Sequence, residues 1–307
     1  MAVPQEVVSV VTVPSREMRR RWRRLQRFVR ESVCDQPGAD NMPDDRIPKH
    51  TTKMWTAQGR QRVGKTALLN TAGQYFRGLG CEIDIWNADQ QNRTHSLSTF
   101  FPDAATPPTG SLSDGKAWIE ERLAEQVRSG RHALLDAGGG LTGFSALVDE
   151  IPLVGALGQK GVEVVGLFAV GPEQADLDYL ERFADQGLFL PKATVIVLNA
   201  GLVLSGRSAA SAFAAIRQNR TFEAAVAGGA QVIMLPNLSC MSQVTDRGLT
   251  FAQAAAGQAK PGQEPLSFFD QARVNRWWTR DIPAFFGQFP PEWLPTSTLP
   301  AQARLSS

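Results

Sequence analysis

Short apolar runs alternate with stretches of helical periodicity from about residue 49 to residue 260. Most of these runs are continuously apolar, which is typical of strands covered on both faces. Because strands and helices alternate, the pattern predicts an α/β fold with a doubly wound, mainly parallel sheet flanked by helices. The predicted strands are 51–57, 82–87, 132–136, 162–170, 193–199 and 230–235, and the predicted helices are 65–78, 114–129, 143–157, 173–187 and 206–227.

Two regions flank this central domain, which we place at residues 51–260. In residues 1–50, apolar side chains recur every three or four positions between 15 and 33, which predicts an amphipathic N-terminal helix followed by a linker. The segment 261–307 is rich in aromatic residues and proline. We expect it to form a helix near 267–282 whose aromatic side chains pack on the domain, with a partner-binding patch as the alternative.

Positive charge is concentrated in the N-terminal helix. The whole chain carries a net charge of +2, whereas residues 16–31 alone hold eight arginines and two glutamates. Three roles stay open for this helix: docking on its own domain or a second subunit, nonspecific DNA binding, and binding to an anionic membrane surface. The arginines predicted to contact DNA or membrane are Arg19, Arg20, Arg23, Arg24 and Arg27.

Composition excludes several classes of protein. At 307 residues, with 43% hydrophobic and 20% charged residues, the central chain is expected to be globular. Its three cysteines and three histidines show no spacing typical of a disulfide framework or of a metal site. No apolar run approaches the roughly 20 residues that a membrane span needs. We therefore expect a cytoplasmic protein, with nucleoid or membrane-peripheral association depending on the basic helix.

The segment from Gly59 to Thr66 matches the phosphate-loop pattern GxxxxGK[ST] in full, with a strand before it and a helix after it. In this pattern the backbone N–H groups and the helix N-terminus surround phosphate oxygens. Lys65 is expected to contact the β- and γ-phosphates, and Thr66 to supply an oxygen to Mg²⁺. The predicted nucleotide-binding residues of the loop are Gly59, Gln61, Arg62, Val63, Gly64, Lys65, Thr66 and Ala67.

Two further acids are predicted at the same edge of the sheet. Asp136 ends a buried strand and is followed by two glycines, so it is expected to hold a Mg²⁺-bound water while the backbone at Gly138 and Gly139 contacts the γ-phosphate. Asp89 follows the strand that ends at Asn87. Because ligands of doubly wound folds bind at the carboxyl ends of the strands, Asp89 is a candidate for orienting the attacking water.

These motifs, in this order over residues 51–257, resemble the ParA/MinD family of partition and positioning ATPases, the deviant-Walker (SIMIBI-class) branch of P-loop NTPases. The stretch from Asn87 to Thr94 resembles the family's DxDPQgNaT segment, with Asp89 on its second aspartate. The resemblance implies that Asn199, at the end of a late strand, and Pro236, after the last strand, flank the adenine. It also implies ATP and Mg²⁺ as ligands.

The loop departs from the family's KGGxGK[ST] pattern at three positions. Arg60 stands where the family has a signature lysine that reaches a partner's nucleotide, and Gln61 and Arg62 replace two glycines. Arginine keeps the positive charge, so the resemblance implies that Arg60 completes the site across a homodimer, with Arg62 as the alternative. The bulkier loop weighs against tight dimerisation and fast hydrolysis.

The resulting expectation is a slowly hydrolysing ATPase that forms a homodimer on ATP binding and positions or partitions cargo, such as plasmid DNA or a DNA-transfer complex, with an unidentified partner protein. Lys65, Asp89 and Arg60 are the predicted catalytic residues. Two alternatives stay open: a small-molecule ATP-dependent synthetase of the same superfamily, and a nucleotide-gated adaptor without useful hydrolysis.

Overall fold

The computed structural model describes residues 51–89, 95–138, 142–186, 189 and 191–296, without the side chains of 182–186. The predicted basic helix, Gly139 and most of the stretch that follows Asp89 lie outside these residues. Among the described helices, none is both long enough and apolar enough to span a membrane.

Six strands form one fully parallel sheet, which confirms the predicted fold class. Their order across the sheet is β2-β3-β1-β4-β5-β6, so β1 lies at the centre, between β3 and β4. The strands begin and end within one residue of the predicted bounds. They are β1 (Thr52–Gln58), β2 (Ile83–Asn87), β3 (His132–Asp136), β4 (Val162–Val170), β5 (Ala193–Asn199) and β6 (Gln231–Leu235).

Helices connect the strands, as the sequence predicts. They are α1 (Lys65–Gly78), α2 (Leu97–Phe100), α3 (Leu112–Ser129), α4 (Gly143–Glu150), α5 (Leu153–Gly158), α6 (Gln174–Gln186), α7 (Ala209–Ala212), α8 (Ala214–Arg217), α9 (Arg220–Ala227), α10 (Met241–Asp246), α11 (Phe251–Ala255), α12 (Phe268–Arg276) and α13 (Ile282–Phe286).

Three predicted helices are divided in the structure. The helix expected over 143–157 breaks at Ile151, which is extended because the next residue, Pro152, restricts it and lacks an N–H group. The helix expected over 206–227 is three short helices, the last of which begins at Arg220 after the side-chain cap Asn219. The helix expected over 267–282 contains a π-helical turn at Trp277–Asp281.

Apolar side chains cover both faces of the sheet, as the continuously apolar strands predict. One face packs against α1, α2 and α10 to α13, and the other against α3 to α9. The side chains of β1 alternate between the two cores: Met54 belongs to one and Trp55 to the other, and both are fully buried. Burial on both sides fixes β1, and therefore the loop that follows it, in place.

The C-terminal aromatic residues pack against the α1 face of the sheet. The indole N–H of Trp55 donates to the carbonyl of Trp293 at 3.1 Å, and its ring stacks on Phe289 at 5.3 Å between centroids. The indole of Trp277 donates to the carbonyl of Pro236 at 2.9 Å, directly after β6. The C-terminal segment thus completes the hydrophobic core beneath the phosphate loop and the loop after β6.

Candidate nucleotide-binding site

The loop between β1 and α1 has a compact path that requires glycine at both of its ends. Gly59 has φ of +143°, and a Cβ there would lie 2.6 Å from the carbonyl oxygen of Ala169. Gly64 has φ of +91°, and a Cβ there would lie 2.4 Å from the amide nitrogen of Asn199. Both positions therefore exclude other residues by conformation and by contact. The spacing of the sequence motif reflects these two close approaches.

The N-terminus of α1 presents backbone N–H groups to the space above the loop. The first intrahelical bond runs from Leu68 N–H to the carbonyl of Gly64, so the N–H groups that precede Leu68 in the helix have no partner of this kind. The first turn of α1 contains no acidic residue, so nothing in that turn opposes the helix dipole. This end of the helix is suited to bind an anion.

Lys65 is buried beside the loop. Its Nζ donates to the carbonyl oxygens of Gly59 at 2.9 Å and Arg60 at 3.0 Å, so the ammonium group closes the loop. Burial lowers the pKa of Lys65, and the charges of Asp136 and Asp89 oppose that effect. A buried ammonium group next to the helix N-terminus gives the cavity a fixed positive charge.

Thr66, at the start of α1, and Asp136, at the end of β3, are in contact. The two elements meet because β1 and β3 are neighbouring parallel strands that end at the same edge of the sheet. The hydroxyl of Thr66 donates to Oδ2 of Asp136 at 2.7 Å, and Gly138 N–H donates to Oδ1 at 3.1 Å. The side chain of Asp136 is fully buried, and burial raises its pKa despite these two hydrogen bonds. A desolvated carboxylate of this kind is stabilised by a nearby cation.

These oxygens fit Mg²⁺ by their chemistry. A hydroxyl and a carboxylate are the hard ligands that Mg²⁺ prefers, and it is usually held by one or two protein groups together with phosphate oxygens and waters. In the described part of the chain, no cluster of three or more His, Cys, Asp or Glu forms a self-sufficient metal site. Thr66 and Asp136 would therefore hold the ion together with a bound polyphosphate.

Asp89 lies at the same edge of the sheet. A Cβ on Gly138 would be 3.2 Å from Cβ and Cγ of Asp89, so the carboxylate side chain packs against the turn that follows Asp136. The N–H group of Ala88 donates to the carbonyl of Asp136 at 2.9 Å and joins the ends of β2 and β3. Asn87, just before, donates from its amide to the hydroxyl of Ser98 at 2.9 Å.

The two arginines of the loop have different environments. Arg60 pairs with Glu173 and lies 3.0 Å from the buried carboxylate of Asp176, so it is held by acidic residues at the start of α6 in its own chain. Burial raises the pKa of Asp176, and the charge of Arg60 opposes that effect. Arg62 has φ of +66° and lines the cavity above the loop. In this arrangement Arg62, rather than Arg60, faces the phosphate site.

Asn199 and Pro236 are both engaged by other parts of the chain. The amide nitrogen of Asn199 donates to the carbonyl of Val63 at 2.9 Å, and its oxygen accepts from Gly201 N–H at 3.0 Å. Asn199 therefore holds the phosphate loop against the end of β5. The carbonyl of Pro236 accepts from the indole of Trp277. Neither residue is among the described residues that line the cavity.

A cavity of about 770 Å³ opens above the loop and extends between α2 and α10. The loop residues Gln61 and Arg62, the start of α1, and Asp89 line its phosphate end. At the mouth of the cavity, Nε2 of His95 lies 2.8 Å from Oδ1 of Asp246, which joins the α2 and α10 sides. The family resemblance also implies that residues 244–251 flank the base, and two of them, Thr245 and Asp246, line this wall.

Comparisons with known proteins give matches among solved structures at low sequence identity. No family model matches the chain, and no curated protein does. Among solved structures, the signal recognition particle receptor FtsY from Elizabethkingia anophelis in complex with GDP has a TM-score of 0.40 and 14% identity, and the match covers 86% of this chain and 79% of that chain. The cell division protein FtsY from Thermotoga maritima has a TM-score of 0.40 and 14% identity, covering 83% of this chain and 76% of that chain.

A third match is the 54 kDa signal recognition particle protein from Aeropyrum pernix K1 in complex with GDP, with a TM-score of 0.38 and 13% identity. It covers 89% of this chain and 64% of that chain. The fold assignment rests on the parallel six-stranded sheet, on the loop after its central strand and on the helix that follows. Together these features are the α/β fold of P-loop NTPases.

Proposed function

We propose that this protein binds a magnesium–ATP complex in the cavity above the loop and hydrolyses it slowly. The observation that carries the proposal is the hydrogen bond between Thr66 and the fully buried Asp136, beside a lysine that closes the loop. A helix N-terminus and an ammonium group, which prefer a polyphosphate, line one cavity. A desolvated carboxylate, which prefers a cation, bonds to Thr66 in the wall of that cavity.

Each side chain has a separate role in this proposal. Lys65 and the N–H groups at the start of α1 hold the β- and γ-phosphates. Thr66 and Asp136 would hold Mg²⁺, which would supply positive charge beside these phosphates. Asp89, against the turn after Asp136, orients a water molecule toward the γ-phosphate and accepts its proton. Arg62 adds positive charge at the cavity, and we retain Arg60 as a candidate for contact across a dimer.

The cellular role we propose is nucleotide-dependent positioning or partition of cargo, most simply plasmid DNA or a DNA-transfer complex. The support is the family resemblance of residues 51–257, together with the concentration of arginine in residues 16–31. In such a cycle, ATP binding favours a homodimer that holds cargo, and hydrolysis releases it. The N-terminal arginines would supply the sequence-independent attraction to DNA.

The experiment compares ATP and GTP hydrolysis by wild type, Lys65→Ala and Asp89→Ala, with and without double-stranded DNA. We expect Lys65→Ala to lose nucleotide binding, and Asp89→Ala to bind ATP but lose turnover. Nucleotide binding that survives in Lys65→Ala would refute the site, whereas GTP-selective turnover would refute the choice of ATP.

The effect of DNA tests the cellular role separately from the site. We expect DNA to stimulate turnover, and 0.5 M salt to abolish that stimulation because phosphate contacts are screened. Replacing Arg19, Arg20, Arg23, Arg24 and Arg27 with glutamine should remove the same stimulation without changing basal turnover. Turnover that responds to a small metabolite and not to DNA would favour the synthetase alternative.

A further inference from the structure

The cavity above the phosphate loop is larger than the phosphates require. Its far end lies between α2 and α10, where Phe100, Met241 and Thr245 form its walls. Phe100 is almost fully buried, and Met241 packs partly buried against the same hydrophobic core. A volume of about 770 Å³ is in the range of cavities that hold whole cofactors, and apolar walls with a few polar groups are typical of such sites.

One buried polar side chain lines this far end. Asn70 is 1% exposed and lies on α1, four residues after Thr66 and thus on the same face of the helix. Four residues of an α-helix correspond to a rise of about 6 Å, which is a short step beyond the metal and phosphate groups at Thr66. The sugar and base of a nucleotide are the parts that extend beyond its phosphates.

The orientation of the Asn70 amide follows from its neighbours. The backbone N–H of Phe251 can only donate, and it donates to Oε1 of Gln74 at 2.8 Å. Nε2 of Gln74 then donates to Oδ1 of Asn70 at 2.8 Å. The acceptor end of Asn70 is therefore engaged, and its NH₂ group is left as the donor. Within the described part of the chain, that NH₂ group has no hydrogen-bond partner.

The residues that the family resemblance suggests for the base are committed elsewhere. Both polar atoms of the Asn199 side chain bond to backbone, one of them in the phosphate loop, and the Pro236 carbonyl bonds to Trp277. One N–H and one lone pair of the Asn199 amide are left for a ligand, because the other two hold the loop onto β5 and bond to Gly201. Asn199 is not among the described residues that line the cavity, whereas Asn70 is.

We infer that the nucleoside part of the ligand binds between α2 and α10, and that the NH₂ group of Asn70 donates to an acceptor on its sugar or base. This inference rests on the proposed function. Gln74, also on α1, is a positioning residue: it accepts from the first N–H group of α11 and donates to the Asn70 amide, which fixes the orientation of that amide. The first turn of α1 thus binds the phosphates, and its second turn selects what is attached to them.

The test measures the affinity of the full-length protein, with Mg²⁺, for ATP, 2′-deoxy-ATP, GTP and inorganic tripolyphosphate. For Asn70→Leu we expect ATP affinity to fall about three- to tenfold, the loss that corresponds to one buried hydrogen bond. Tripolyphosphate affinity should change less than twofold, because the loop is intact. The matched control, Asn275→Leu on the exposed side of α12, should change neither value.

The comparison of ligands shows where the amide binds. An equal loss for ATP and GTP with a smaller loss for 2′-deoxy-ATP places the acceptor on the sugar, and unequal losses for ATP and GTP place it on the base. Asn199→Ser should weaken ATP and tripolyphosphate by the same factor, because Asn199 acts through the loop. If Asn70→Leu does not fold, Asn70→Ala removes the same donor without adding volume.

Two results would overturn the inference while leaving the phosphate site intact. One is a loss in Asn70→Leu that is equal for ATP and tripolyphosphate. The other is unchanged ATP affinity in a folded Asn70 variant. A wild-type protein that binds neither ATP nor tripolyphosphate would instead refute the proposed function itself.

Discussion

The contact between Gly64 and Asn199 permits a stringent test of how the phosphate loop is held. Replacing Asn199 with alanine removes two hydrogen bonds, to the carbonyl of Val63 and from the N–H of Gly201. Since each such bond contributes about 1 kcal/mol, Asn199→Ala should lower the free energy of unfolding by about 2 kcal/mol. For a domain of this size, that loss corresponds to a decrease in Tm of roughly 4–8 °C.

Gly64→Ala has two costs of different origin. A residue with a Cβ at φ of +91° costs about 1–2 kcal/mol in conformational energy alone. The Cβ would also lie 2.4 Å from the Asn199 amide, which must then move and lose its bond to Val63. In an Asn199→Ala background the second cost disappears. The double variant should therefore be more stable than the sum of the two single losses predicts, by about 1 kcal/mol or more.

The measurement is urea-induced unfolding at 25 °C of the wild type, both single variants and the double variant, in the absence of nucleotide. Asn219→Ala is the matched control, since it removes the single cap bond to Thr221 N–H at the start of α9. Its effect should add to that of Gly64→Ala. A coupling between Gly64 and Asn199 that is within about 0.3 kcal/mol of zero would refute the contact.

Three other predictions concern separate parts of the molecule. Burial raises the pKa of Asp136 in the folded protein, so wild type should lose stability as the pH rises from about 4 and Asp136 ionises. In metal-free buffer, Asp136→Asn should therefore become more stable relative to wild type over that pH range. Parallel curves of Tm against pH for the two proteins would contradict this. Titration calorimetry with tripolyphosphate should show binding weakened about two- to fivefold in Arg62→Gln and less than twofold in Arg60→Gln. The reverse order would contradict the conclusion that Arg62, and not Arg60, faces the phosphate site. Trp277→Phe should cost about 1 kcal/mol by losing its bond to Pro236, and unchanged urea unfolding would contradict it.

The sequence predicts the frame of this fold well because each strand is covered on both faces. A strand buried on two sides is mostly apolar, so β4 and β5 are visible as nearly continuous apolar runs. The central strand β1 is less visible, because four of its seven residues are polar although all are buried. Helix ends are less visible. The predicted helix over 206–227 is three short helices, because local capping by Ser208 and Asn219 competes with the apolar period that runs through the segment.

The sequence motif predicts the position of the phosphate loop between β1 and α1. Most of the roles assigned to the residues of that site stay predictions. Thr66 and Asp136 lie in contact because the loop and helix after β1 and the end of β3 are at one edge of a parallel sheet. The environment of Arg60 was not predictable. Its acidic partners, Glu173 and Asp176, are more than 110 residues away in the chain, and only the β1–β4 pairing brings them to the loop.

The sequence by itself determined the chemistry that this protein carries: a loop with glycine at the two positions that need it, a lysine, a threonine and an aspartate at the end of a buried strand. Those choices follow from local geometry and from the order of strands and helices. The tertiary structure decided what surrounds that chemistry. The cavity wall at α10, the donor on Asn70 and the bond from Asn199 to the loop depend on segments distant in sequence, and no local periodicity encodes which of them meet.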